Sequence, residues 1–248
     1  MYRTLNVVQQ GQNDFLREWV PQRTQYLDQL LSLEALPGDG ICDHCNKSDG
    51  IFRCSDCIGG FIYCWECCLQ FHRLLPFHRI VRWNGEYFAK TTLHAQGYVL
   101  HLGHRGKPCP HNSAEGEEWL DADDEMDGLP GPGLFPDNSK EKVNDITEEE
   151  VDVLDTNGVF RHRIRWCQCP GAQNKPRQLF QMGIFAASLR RPETAFTFNV
   201  LDYFYIDAME CHTAASNFVT KVRRLTNNSF LDMVPVSLHV VYGRHHSQ

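Results

Sequence analysis

Several absences narrow this chain of 248 residues before any motif is considered. No stretch approaches the roughly 18 consecutive apolar residues that a membrane helix needs. The opening residues Met1 to Gln10 carry no apolar run of the secretory kind. An intracellular protein without a membrane partner is therefore expected. No polybasic run marks a targeting address, and no segment repeats at a fixed period. With 42% hydrophobic and 22% charged residues, the composition supports a packed core and excludes wholesale disorder. The length fits one or two domains.

Charge is unevenly placed. Of 31 acidic residues, 14 lie between Ser113 and Glu150, accompanied only by Lys140 and Lys142. The remainder of the chain is mildly basic, so the formal net charge of -7 belongs to one segment. That segment is broken by Gly128-Leu129-Pro130-Gly131-Pro132-Gly133 and reads as an acidic flexible linker or loop over 113–150.

Eleven cysteines and twelve histidines dominate what is present. In a reducing compartment, clustered thiols point to metal ligation before disulfides. Residues 41–80 hold three Cys-x2-Cys pairs, Cys42/Cys45, Cys54/Cys57 and Cys64/Cys67, followed by His72 and His78. Two intervening residues let a tight turn aim both thiolates at one ion, and eight ligands complete two closed tetrahedral zinc sites. Spacing alone does not fix which ligands share an ion. Alternate pairing would lock a module with so small a core as a cross-brace. It would set Cys42, Cys45, Cys64 and Cys67 on one zinc, and Cys54, Cys57, His72 and His78 on the other. Cys68 and His44 are competing ligands. With all positions taken by protein, structural zinc is favoured over catalytic zinc.

A second cluster, Cys167-x-Cys169, closes a strand in which Phe160, His162, Ile164 and Trp166 alternate with Arg161, Arg163 and Arg165. Two thiols cannot complete a tetrahedral site. His104 and Cys109, in the Leu102-Gly103-His104 to Cys109-Pro110 element, are the best partners for a third zinc. His101, His111, His162 and Cys211 are the substitutes. The basic strand face, with Lys175 and Arg177, is a candidate nucleic-acid-binding surface. Asp202, Asp207 and Glu210 form too local a cluster for two-metal chemistry and read as solvated acids.

The expected organisation is a helical segment over 1–37, with Tyr26, Leu27, Leu30, Leu31, Leu33 and Leu36 at helical spacing. A double zinc finger over 41–80 and a connecting segment over 81–112 precede the acidic linker. A cysteine-cluster domain over 151–230 and a tail over 231–248 follow it. Leu179 to Phe185 and Thr194 to Phe204 are strands or short helices, and Ala214 to Leu225 is an amphipathic helix. The fold class is α+β, a small zinc-stabilised cross-brace followed by a mixed α/β domain.

Two resemblances sharpen this reading. The finger order resembles ZZ-type and B-box zinc fingers, in which the third knuckle returns to the first site; RING spacing is not matched. Asn157-Gly158-Val159 through Arg165-Trp166-Cys167-Gln168-Cys169-Pro170 is similar to the CxC-type cysteine cluster that accompanies KDZ transposases of fungal mobile elements. Arg191-Pro192-Glu193-Thr194-Ala195-Phe196-Thr197-Phe198, Leu201-Asp202 and Arg224-Leu225-Thr226-Asn227-Asn228 add to it. With Leu16-Arg17-Glu18-Trp19 and the Leu-Gly-His to Cys-Pro element, the resemblance covers roughly residues 14 to 229. It implies a nuclear, zinc-binding, non-enzymatic accessory region, with the RNase H-like transposase core expected to be absent from this chain. The implied partners are DNA or, through the finger, a protein or peptide. A ZZ/B-box-type peptide adaptor or chromatin reader is the alternative.

Overall fold

The computed structural model describes residues 11–112 and 148–235, which divide into two compact units. The first holds residues 11–72 and 78–92; the second holds 73–77, 93–112 and 148–235.

The first unit opens with α1 (Gln12–Trp19) and α2 (Arg23–Ser32), joined by a 3-10 turn at Val20–Gln22. Pro21 sits in that turn, where its missing N–H and fixed φ do least harm. Pro37 and Gly38 follow the end of the helical segment, as the sequence anticipates. A four-stranded antiparallel sheet comes next: β1 (Phe52–Cys54), β2 (Ile62–Tyr63), β3 (Ile80–Trp83) and β4 (Phe88–Thr91), in the order β2-β1-β3-β4. Helix α3 (Trp65–His72) lies between β2 and β3 in the chain. The buried apolar residues here are few, Phe52, Ile62 and Ile80 among them, and the cysteines occupy much of the rest of the interior.

The second unit is a mixed five-stranded sheet with helices. Its elements are β5 (Val99–His101), β6 (Glu148–Asp155), β7 (Gly158–Arg165), α4 (Lys175–Gln181), β8 (Ile184–Ala186), β9 (Thr194–Thr197), α5 (Phe198–Cys211) and α6 (Ala215–Thr226). The strand order is β5-β7-β6-β9-β8; β5 runs parallel to β7 and β9 parallel to β6, while β6/β7 and β8/β9 are antiparallel. Leu154, Val159, Val200, Phe218, Val219, Val222 and Val234 form the core beneath α5 and α6. Thr197 starts α5: its Oγ1 accepts from Val200 N at 3.2 Å and donates to Asp155 Oδ1 at 2.6 Å.

Two boundaries differ from the sequence reading. The connecting segment 81–112 is split, with β4 completing the first sheet and β5 opening the second. Glu148–Glu150, assigned above to the acidic linker, begin β6. Three consecutive glutamates look like linker until their partners are seen: Arg165 for Glu148, Lys175 for Glu149 and Arg161 for Glu150. The ambiguous segments also divide: α4 and β8 share 175–186, and β9 passes directly into α5. The strand at Val159–Trp166 and the helix at Ala214–Leu225 are where the sequence places them. Among the described residues, no helix is long and apolar enough to cross a membrane.

Candidate metal centres

Three sets of four ligand atoms converge, each set lying within 4.8 Å of one another. They are Cys42/Cys45/Cys64/Cys67, Cys54/Cys57/His72/His78 and His104/Cys109/Cys167/Cys169. The first two follow the alternate pairing.

Local backbone explains the convergence in the finger. Cys42 N donates to Ser48 O at 2.8 Å and Asn46 N to Cys42 O at 3.0 Å, curling the first knuckle. Asp43 ties that knuckle to β2, its N–H donating to Ile62 O and its carboxylate accepting from Ile62 N at 2.7 Å. Cys64 therefore emerges beside Cys45, with the sulfurs 3.9 Å apart. In the second set, antiparallel pairing of Cys54 with Ile80 brings the residue two before Ile80, His78, against the cysteine. His78 Nδ1 lies 3.4 Å from both Cys54 Sγ and Cys57 Sγ. His72 Nε2 lies 3.5 Å from Cys57 Sγ, while its Nδ1 donates to Cys68 O at 2.8 Å. That bond fixes the tautomer and leaves Nε2 free to ligate.

The sequence named Cys68 and His44 as competing ligands. Neither joins a set: Cys68 is buried and supplies the carbonyl that orients His72, and His44 packs edge-on against Phe71 at 4.8 Å. Asp56, inside the second knuckle, accepts from Arg79 N and from Arg79 Nε at 3.0 Å, bracing the residue next to His78. Burial opposes ionisation of Asp56, but Arg79 prevails and holds its carboxyl below the usual range.

In the third set, strand pairing again does the placing. His101 pairs with Arg165 in the parallel β5/β7 ladder, and Leu102 N donates to Arg165 O at 3.0 Å. The Gly103-His104 and Trp166-Cys167 segments thus leave the sheet at the same end. Cys109 Sγ lies 3.9 Å from Cys167 Sγ and 3.7 Å from Cys169 Sγ; His104 Nε2 lies 3.3 and 3.4 Å from the same two sulfurs. Gly103 has φ +80°, and a Cβ there would meet Cys167 Cβ at 3.2 Å. His104 and Arg105 also adopt positive φ, 43° and 57°. Such backbone persists only where its surroundings hold it. Of the substitutes, His101 and His162 are buried in the sheet, and neither they, His111 nor Cys211 join a set.

The distances fit a tetrahedral ion. Zn–S bonds of about 2.3 Å and Zn–N bonds of about 2.0 Å require S···S edges near 3.8 Å and S···N edges near 3.5 Å. All described cysteines are free thiols, so these close approaches are not disulfides. The electrostatics point the same way. Burial opposes ionisation of Cys109, yet the Gln168 and His111 backbone amides bring its pKa down to about 6. Burial and its neighbouring thiols push Cys169 up to about 11. Crowded thiols cannot all ionise without a cation among them. A divalent ion held there would supply that charge and close the loops between its ligands.

Sequence reasoning missed Gln178. This buried α4 side chain accepts from Cys167 N at 2.9 Å and donates to Cys167 O at 3.0 Å and Gln173 O at 2.7 Å. It positions a ligand through the backbone, which leaves no trace in ligand spacing.

The basic strand is placed as expected but is not bare. Arg161 Nε and Nη2 reach the two carboxylate oxygens of Asp152 at 2.8 and 3.0 Å. Arg165 Nε pairs with Glu148 Oε1 at 2.6 Å, and Lys175 pairs with Glu149. Arg163 stands opposite Glu150 in the strand register, and Arg177 Nη1 donates to Gln173 Oε1 at 3.2 Å. Lys221 pairs with Asp207. Among the described residues no three carboxylates converge as a metal site.

Fold and sites together define an α+β, cysteine-cluster protein with three prospective metal centres. Residues 137–230 match the family model described as a CxC2-like cysteine cluster associated with KDZ transposases, which covers rather more than a third of the chain. That segment supplies Cys167 and Cys169, and such a cluster is accessory rather than catalytic. The earlier cysteine sets are consistent with a zinc finger preceding it. No curated protein and no solved structure matches the chain.

Proposed function

We propose that this chain is a non-catalytic, zinc-binding accessory region of a KDZ-type transposase that acts through protein contacts. The observation carrying the reading is the trio of four-ligand sets. Each is complete in protein ligands and leaves no coordination position for an activated water. The donor types support zinc at all three sites, two in the finger and one in the cysteine cluster. The first set offers four thiolates, the second two thiolates and two imidazoles, and the third three thiolates and one imidazole. The transposase association supports a nuclear address.

Protein contact is favoured over nucleic acid by the state of the cations. Arg161, Arg165 and Lys175 already face carboxylates of β6, so a phosphate must displace an existing partner. The second reading, sequence-tolerant DNA binding, is favoured by Arg190 and Arg191, which line a cleft of about 440 Å³ with Lys175. Glu149, Glu150 and Glu193 line the same cleft and oppose an anion there.

Fluorescence anisotropy with duplex DNA at two salt concentrations separates the two. The expected result is no saturable binding at low salt. Binding whose logarithm falls steeply with the logarithm of salt would establish phosphate contacts and overturn the protein-contact reading. Native mass spectrometry should find three zinc ions per chain, and fewer would overturn the three-site assignment.

A further inference from the structure

The helical segment before the finger is exposed in a way its sequence does not suit. Leu16, Trp19, Tyr26, Leu30 and Leu33 are each 53–62% exposed, and no described residue of α1 or α2 is buried. Helices this short are marginal alone and draw stability from packing an apolar face. Val20 and Leu27 flank the same stripe and are more than half exposed.

The stripe has a period. Leu16, Trp19, Arg23, Tyr26, Leu30 and Leu33 alternate in steps of three and four, the spacing of a coiled-coil seam. The 3-10 turn at Pro21 does not break the face. Trp19 and Tyr26, seven residues apart and on either side of it, stack with ring centroids 6.2 Å apart and planes within 7°. The pattern is also symmetric about its midpoint, between Arg23 and Tyr26. Laid antiparallel on a copy of itself, the seam sets Leu16 against Leu33, Trp19 against Leu30 and Arg23 against Tyr26. Every pair is then apolar or a cation over an aromatic ring. A parallel arrangement would set Arg23 against Arg23, a like-charge pair in an apolar seam. With Val20 and Leu27, the stripe offers seven apolar side chains, each more than half exposed, towards the roughly 800 Å² that each partner gives to a standard-size interface.

We infer that this face is an antiparallel self-association surface, occupied by the same segment of a second copy of the chain. The inference is independent of what the metal-bearing units bind.

Light scattering on the zinc-loaded full chain should give twice the monomer mass at micromolar concentration. Leu30→Glu and Trp19→Lys should each reduce it to monomer with three zinc ions and an unchanged circular dichroism spectrum. Mixing the two variants should restore the dimer, because only antiparallel pairing sets Lys at 19 opposite Glu at 30 of the other chain. A monomeric native chain means that a different molecule covers the face, and overturns the inference. So does a dimer that survives Leu30→Glu. A variant mixture that stays monomeric overturns the antiparallel register.

Discussion

At the residue scale, His162 shows how a polar group can be held by surroundings rather than by partners. It lies on the buried side of β7 among the rings of Phe77, Tyr98 and Phe160, 2% exposed. Burial, and then the neighbouring His94, lowers its pKa to about 4 from an ordinary 6.5; the Pro76 carbonyl opposes this only in part. The unfolded chain therefore takes up a proton between these values while the folded chain does not. Stability is fully present above about pH 6.5 and is lost as pH falls towards 4, by up to about 3 kcal/mol. His162→Phe should flatten that part of the pH dependence of thermal unfolding while keeping three zinc ions. Gly103→Ala should act on the third metal centre alone, because a Cβ at φ +80° meets Cys167. Metal analysis should then find two ions, where native protein holds three. Gln178→Ala should weaken zinc retention at the same centre by about 10- to 100-fold, measured by competition with a chromogenic chelator.

At the element scale, the metal sets are built by strand ends. The Cys-x2-Cys and Cys-x-Cys pairs were legible because their spacing is a local property; which pairs share a site is not local and is seen only where the strands bring them together. The partners of the arginines were not legible. Glu148, Glu150 and Asp152 read as the end of an acidic run, and only the β6/β7 register reveals them as a row opposite Arg165, Arg163 and Arg161. Period-two alternation found β7 and helical spacing found α6, whereas the passage from β9 into α5 is set by Thr197, a capping residue with no distinct signal in an aromatic-rich run. Charge reversal at Asp152, Asp152→Lys, should leave Arg161 with only its 3.8 Å contact to Glu150 and facing a like charge. The expected cost is about 1–3 kcal/mol in chemical unfolding, since a partly buried bidentate pair is lost and repulsion replaces it.

At the scale of the whole molecule, the small apolar content of the first unit makes its fold conditional on metal. Metal binding of this kind contributes on the order of 10 kcal/mol to folding. A strong chelator should therefore abolish the near-ultraviolet circular dichroism of the finger aromatics, and zinc should restore it. Cys109→Ser should release one ion and leave the other two in place.

The third centre has a topological result as well. His104 and Cys109 lie on one side of residues 113–147, and Cys167 and Cys169 lie on the other. The parallel β5/β7 ladder joins the same two stretches of chain. A protease cut placed in that interval would leave two polypeptides that still co-migrate as one particle, held by both the ladder and the ion.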